Sequence, residues 1–102
     1  MAKKTTHRND IGCDGNGKFT HSDAHMKAAR NHQLQWSCAD GPFTIKFAGM
    51  SPSNKLQLHG KAGATVAMNV HAAARPGVYK YIVAVSRSEG IFINDPDVEI
   101  EY

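Results

Sequence analysis

The feature that most restricts this chain is a strict alternation of apolar and polar residues over short runs, each cut off by Gly, Pro, Asp or Asn. Side chains alternate across a strand with period 2, so such a run offers one face to a core and one to water. Leu34, Trp36 and Cys38 alternate with Gln33, Gln35 and Ser37. Past the turn signal Ala39-Asp-Gly-Pro42, the residues Phe43, Ile45 and Phe47 alternate with Thr44 and Lys46. Leu56 and Leu58 follow the turn-rich Gly49–Asn54 segment, and Val66, Met68 and Val70 alternate again before Arg75-Pro-Gly77. Tyr79, Tyr81, Val83 and Val85 form the strongest strand pattern; Ile91 with Ile93, then Val98, Ile100 and Tyr102, complete the series. Short strands separated by turn residues define an all-β sandwich or small barrel, because half-apolar sheets must pack face to face. Trp36, Phe43, Phe47, Tyr81 and Val83 are the expected centre of that core.

A chain of 102 residues with 41% hydrophobic residues makes one domain with a modest core. Residues 1–15 are expected to be a flexible basic arm, since Met1–Asp10 carries no apolar periodicity, and residues 16–102 the folded domain. Ser22–Asn31 is the one stretch open to helix or strand. Ser22 offers a helix N-cap, but only Met26 and alanines would face a core, so a strand ending at an Arg30-Asn31 turn is favoured. No apolar segment follows Lys3 and Lys4 to make a secretory signal, and the apolar runs are strand-sized. The expectation is a cytoplasmic protein with no membrane association. Cys13 and Cys38 lack the short spacing of a metal clip or redox pair and are read as idle thiols.

The order of these signals resembles the cupredoxins, the family of plastocyanin. Phe19 stands for that family's first phenylalanine, Met26 and Ala28 for an apolar pair, and His32-Gln-Leu-Gln-Trp36 for its Trp-ending strand. Gly41-Pro-Phe-Thr-Ile-Lys-Phe47 corresponds to its histidine-containing strand, and Arg75-Pro-Gly-Val-Tyr-Lys-Tyr-Ile-Val83 to its proline-glycine-x-tyrosine strand. Val98-Glu-Ile-Glu-Tyr102 resembles the closing strand, so the likeness covers residues 19–102. It implies a single Greek-key β-sandwich. It does not imply copper here, because a blue copper site needs two imidazoles, a thiolate and usually a weak thioether. The first family histidine falls at or beside Phe43, the cysteine falls among Val83, Ala84 and Val85, and Ser86–Gly90 holds neither His nor Met. A divergent member without copper ligands, and with no cofactor, is the reading that follows.

Other chemistry is sparse. His21, Asp23 and His25 share one face of an extended strand, and a metal could use His21 and His25, with His32 or His71 beside them. On a straight strand, however, the two end residues lie roughly 13 Å apart. Asp10–Gly17 fails the calcium-loop pattern, with Gly12 and His21 at the third and twelfth positions, and reads as turns. No nucleophile elbow or phosphate loop is present, so no enzyme is expected. The net charge of +3 is concentrated toward Lys3, Lys4, Arg8, Lys18, Lys27 and Arg30, which keeps nucleic acid as an alternative partner. The leading expectation is a non-catalytic interaction module that meets a protein partner or a second copy of itself. Its candidate contacts are Lys3, Lys4, Arg8, Met50, Arg87 and Phe92, on the arm, the Gly49–Asn54 loop and the Ser86–Asp97 segment.

Overall fold

The computed structural model describes residues 5–101, which form ten strands and no helix. The strands are β1 (Thr6–Cys13), β2 (Phe19–His21), β3 (His25–Ala29), β4 (Gln33–Cys38), β5 (Phe43–Phe47), β6 (Gln57–Gly60), β7 (Thr65–Asn69), β8 (Gly77–Arg87), β9 (Gly90–Asn94) and β10 (Asp97–Glu101). One sheet has the order β2-β1-β4-β7; the other has β3-β10-β8-β5-β6, with β9 paired to β8. The chain passes repeatedly between the two sheets, and this crossing gives the Greek-key sandwich expected from the sequence. Residues 25–29 are strand, and the turn after them places Asn31 at φ 68°, a left-handed conformation that asparagine tolerates better than most residues.

The alternation reads directly as burial. In β4, Leu34, Trp36 and Cys38 face inward; in β5, Phe43, Ile45 and Phe47 do; in β8, Tyr79, Tyr81, Val83 and Val85 do. Trp36, Phe47 and Tyr81 meet ring to ring at the centre, with centroids 5.2 to 6.3 Å apart. Fully burying one such large side chain contributes roughly 1.5–3 kcal/mol, so this trio anchors one sheet to the other.

The arm expected over residues 1–15 is a strand for most of its length. β1 pairs in parallel with β4, from Thr6 opposite Gln33 to Ile11 opposite Cys38, and antiparallel with β2. Asn9, Ile11 and Cys13 point inward, and a polar residue at the first of these positions hides the period from a reading of hydrophobicity alone. Residues 1–4, with Lys3 and Lys4, lie outside the described residues, as does Tyr102.

Asn9 is fully buried, and its partners explain how it can be. Its carbonyl accepts the Asp23 backbone N–H at 3.2 Å, and its amide donates to His21 Nδ1 at 3.0 Å and to the Tyr81 hydroxyl at 3.4 Å. Trp36 Nε1–H donates to the same hydroxyl at 3.1 Å. The network ties β1, β2 and β4 of one sheet to β8 of the other. Among the described residues no buried side-chain polar atom lacks a partner.

Candidate functional site: the hairpin end of the sandwich

The end of the sandwich where the resemblance would place copper ligands is closed by hydrocarbon. Phe43 on β5 lies directly opposite Val85 on β8, Ile45 lies opposite Val83, and all four side chains are buried. Gly60 on β6 packs so closely on Phe43 that an added Cβ would sit 2.5 Å from the ring. His59 is the imidazole beside this end, lining a shallow cleft with Phe43, Ala84 and Ile91. Both its nitrogens are engaged, Nδ1 with the Thr44 hydroxyl at 2.9 Å and Nε2 with the Gln57 amide at 2.7 Å. The side chains present there do not fit a type 1 copper centre, which requires imidazole and thiolate donors on one ion.

The backbone at this end is regular strand. β8 runs eleven residues, past the point where the family cysteine would fall, and continues to Arg87. It then turns through Ser88 and Glu89 and returns as β9, with Val83 opposite Asn94 and Val85 opposite Phe92. A regular hairpin therefore stands where a ligand-bearing loop would be. Arg87 holds its base: Nη1–H donates to the Cys13 carbonyl at 2.8 Å and the Asp40 carbonyl at 3.3 Å, and Nε–H donates to Glu89 at 3.2 Å.

Period 2 on β9 runs opposite to the hydrophobic pattern. Phe92 turns inward against Gly17, whose positive φ of 82° brings the β1–β2 loop over the ring. Asn94 also turns inward and accepts a hydrogen bond from His21 Nε2–H at 2.8 Å. Ile91 and Ile93 are consequently turned to solvent, 70% and 63% exposed. Ile93 lies opposite Ala84, and half-buried Ile82 lies on the same outer face of β8. These four residues make an apolar rib on the outside of the larger sheet. Sequence reasoning assigned Ile91 and Ile93 to the strand series and expected Phe92 at the surface; the inward pull of Phe92 and Asn94 reverses those positions.

The remaining expected site residues scatter. His21 is held in the Asn9–Asn94 chain within the smaller sheet. His25 lies on the outer face of the other sheet, with Nδ1 on Asp97 and Nε2 on Glu99 at 3.0 Å. These hydrogen bonds, to Asp97 first and then Glu99, raise the His25 pKa above its ordinary value. The two candidate metal histidines thus occupy different sheets, and among the described residues no group of three His, Cys, Asp or Glu side chains is placed to hold a metal ion. Another imidazole pair does meet: His7 Nε2–H donates to His32 Nδ1 at 2.9 Å, and that same nitrogen accepts the Ala29 N–H. Burial first, then the neighbouring His32, lowers the His7 pKa, with Asp23 opposing.

Arg8, a candidate contact for nucleic acid or protein, is spent within its own sheet on Asp10, Gln35, Ser37 and Thr65. Arg30 donates to the Ala74 carbonyl at 2.9 Å. Met50, at the opposite end of the molecule, is 65% exposed and borders a groove with Arg75, Pro76 and Val78. Cys13 and Cys38 are free and buried, and burial raises the Cys13 pKa. No described helix is long and apolar enough to cross a membrane.

The fold these elements build is that of the cupredoxins. The chain superimposes on a purple cupredoxin from Nitrosopumilus maritimus with a TM-score of 0.59 and 14% identity, over 90% of this chain and 98% of that one. A pseudoazurin from Sinorhizobium gives 0.61 and 14%, over 96% of this chain and 75% of the other. A P52G variant of amicyanin gives 0.54 and 13%, over 99% and 86%. Identities this low establish the architecture alone. No protein-family model and no curated protein sequence matches the chain.

Proposed function

We propose that this chain is a non-catalytic interaction module, a cupredoxin-fold domain that works through protein contact instead of a copper ion. The observation that carries the reading is the apolar rib at the hairpin end, where Ile91 and Ile93 stand 70% and 63% exposed on a paired, regular strand. Outward positions of strands are ordinarily polar, and a clustered exposed apolar patch marks an interaction surface more often than chance. The hydrocarbon filling of Phe43, Val83 and Val85 supports the copper-free half of the reading. Cytoplasmic residence belongs to the same proposal and is supported by two free, buried thiols, the state a reducing compartment maintains.

The test compares the purified, untagged chain with an Ile91→Ser/Ile93→Ser double variant. Both are immobilised against extract of the source cells, and both are assayed for copper and zinc by elemental analysis. A partner retained by the parent and lost by the variant, with no stoichiometric metal, is the expected result. One tightly held ion per chain, or capture indifferent to the two isoleucines, refutes the reading.

A further inference from the structure

The far end of β1, away from the Cys13–Arg87 contact at the hairpin, holds a pair of imidazoles whose hydrogen bonding has a fixed direction. Ala29 N–H donates to His32 Nδ1 at 3.1 Å, so that nitrogen carries a lone pair and the 2.9 Å bond with His7 Nε2 is donated by His7. The two rings stack with centroids 5.1 Å apart. His7 sits near the start of β1, where β4 supplies the ladder from Thr6 opposite Gln33 and β2 joins at Ile11. Gln33 N–H closes the same end by donating to the Thr5 carbonyl at 2.8 Å. Past His7 the strand is fastened by the Arg8 guanidinium, on Asp10, Gln35, Ser37 and Thr65, and by the buried Asn9. Residues 5–7 are therefore the part of the strand whose attachment depends on the imidazole pair.

We propose that His7 and His32 form an acid-sensitive latch, closed at neutral pH and opened in acid, that releases Thr5–His7 from β4 and uncovers the β4 edge at Gln33. A first proton fits the closed latch. It goes to His7 Nδ1, leaves the Nε2–H donor in place, and is favoured by Asp23 in the β2–β3 connection. A second proton has His32 Nδ1 to occupy, where it turns an acceptor of two N–H groups into a third donor and sets two cations ring to ring. The open state thus carries more protons than the closed one, and each proton gained shifts the equilibrium toward opening by up to about tenfold per pH unit. Burial, then His32, holds His7 below its ordinary 6.5 in the closed state, which places the opening below that pH. The other charged groups nearby are turned elsewhere. His21 is held between Asn9 and Asn94, Arg30 donates to the Ala74 carbonyl, and His71 Nδ1 accepts the Ala73 N–H. Arg8 and Asp10 pair on the outer face of their own sheet, and His25, Lys27, Asp97, Glu99 and Glu101 lie on the outer face of the other. The latch stands apart from the rib, and either reading can fail without the other.

Amide hydrogen exchange read by NMR on the isotope-labelled full chain, from about pH 7.5 to about pH 5, tests this across the range where imidazoles titrate. The Ala29 and Gln33 amides are the reporters, since opening breaks the hydrogen bonds of both. Their protection, corrected for the intrinsic exchange rate at each pH, is expected to fall about tenfold or more, while the β8 amides change less than about twofold. His32→Gln, which cannot take up the proton, should hold both reporters within about twofold across the range, and His25→Gln should retain the fall. In the parent, imidazole nitrogen shifts should show His32 Nδ1 gaining its proton over the same interval in which the two amides lose protection, so the outcome does not depend on either variant folding. Reporters that stay protected in acid, a fall that survives His32→Gln, or a His32 Nδ1 that gains its proton while both amides stay protected overturns the proposal.

Discussion

Tyr81→Phe isolates the buried polar network with almost no change of shape. The ring keeps its packing against Trp36 and Phe47, and only the hydroxyl is lost. That oxygen accepts the Trp36 indole N–H at 3.1 Å and, more weakly, the Asn9 amide at 3.4 Å. Asn9 retains His21 as a partner, whereas the fully buried Trp36 N–H is left with none. An orphaned buried donor costs about 1–3 kcal/mol and the longer bond about 0.5–1 kcal/mol more, which gives a destabilisation of roughly 2–4 kcal/mol. For a domain of this size that is a fall in Tm of roughly 10–25 °C. Urea unfolding followed by Trp36 fluorescence measures it, with an unchanged m-value certifying that the denatured state is not what moved. Tyr79→Phe is the control. Its hydroxyl donates to the Arg75 carbonyl at 2.7 Å near the surface, where water can replace it, so it should cost only about 0.5–1.5 kcal/mol. A Tyr81→Phe protein as stable as the control would refute the claim that this hydroxyl holds the two sheets in register.

Gly41→Ala should be among the most damaging single-methyl changes, because the new Cβ would sit 2.1 Å from the Ser86 carbonyl oxygen, a backbone atom that cannot step aside; thermal unfolding should show a loss of about 1–3 kcal/mol or more. Phe92→Ala should cost about 1–3 kcal/mol while Ile91→Ser stays within about 0.5 kcal/mol, reversing the order that hydropathy alone suggests for neighbouring residues. His7 titrates below its ordinary value of 6.5, so its neutral form stabilises the fold above that pH and the contribution is lost as pH falls through the folded value. His25 has the opposite sign, stabilising below 6.5 and fading as pH rises through its raised value. In a His25→Gln background, stability measured by urea unfolding should therefore decline from about pH 7.5 to about pH 5, and adding His7→Gln should flatten that decline; a slope that survives would assign it elsewhere.

Much of the architecture was legible because burial and alternation coincide. Every residue expected at the centre of the core is buried, and the strand favoured for residues 25–29 is present despite its short apolar stripe. β3 was legible only weakly because Met26 and Ala28 supply so little hydrophobic contrast, and its strand state depends on parallel pairing with β10, far away in sequence. β1 was missed because one of its inward positions is an asparagine, whose burial is acceptable only where β2, β8 and the Asp23 backbone converge on it. The Ser86–Asp97 segment was legible as a candidate surface, but its outward residues were misassigned for the complementary reason. The residue that goes inside β9 is decided by Gly17 and His21 on the other sheet, and a two-residue alternation cannot reveal which of its phases meets them.

The hydrocarbon-filled end and the exposed rib follow from one feature of the backbone. A metal loop must leave its sheet so that donors from several directions can converge on one ion, whereas a strand sends successive side chains to opposite faces. β8 stays in its sheet through Arg87, so residues 83–85 lie in ladders with both β5 and β9, residues 86 and 87 pair with β9, and the side chains alternate between core and solvent. The inward half of that alternation seals the end with Val83 and Val85. The outward half, together with its partner strand, supplies Ala84, Ile91 and Ile93. Donors placed at positions 43 and 83 would still sit in regular strands, so building a metal centre there requires breaking the hairpin, and breaking the hairpin removes the rib.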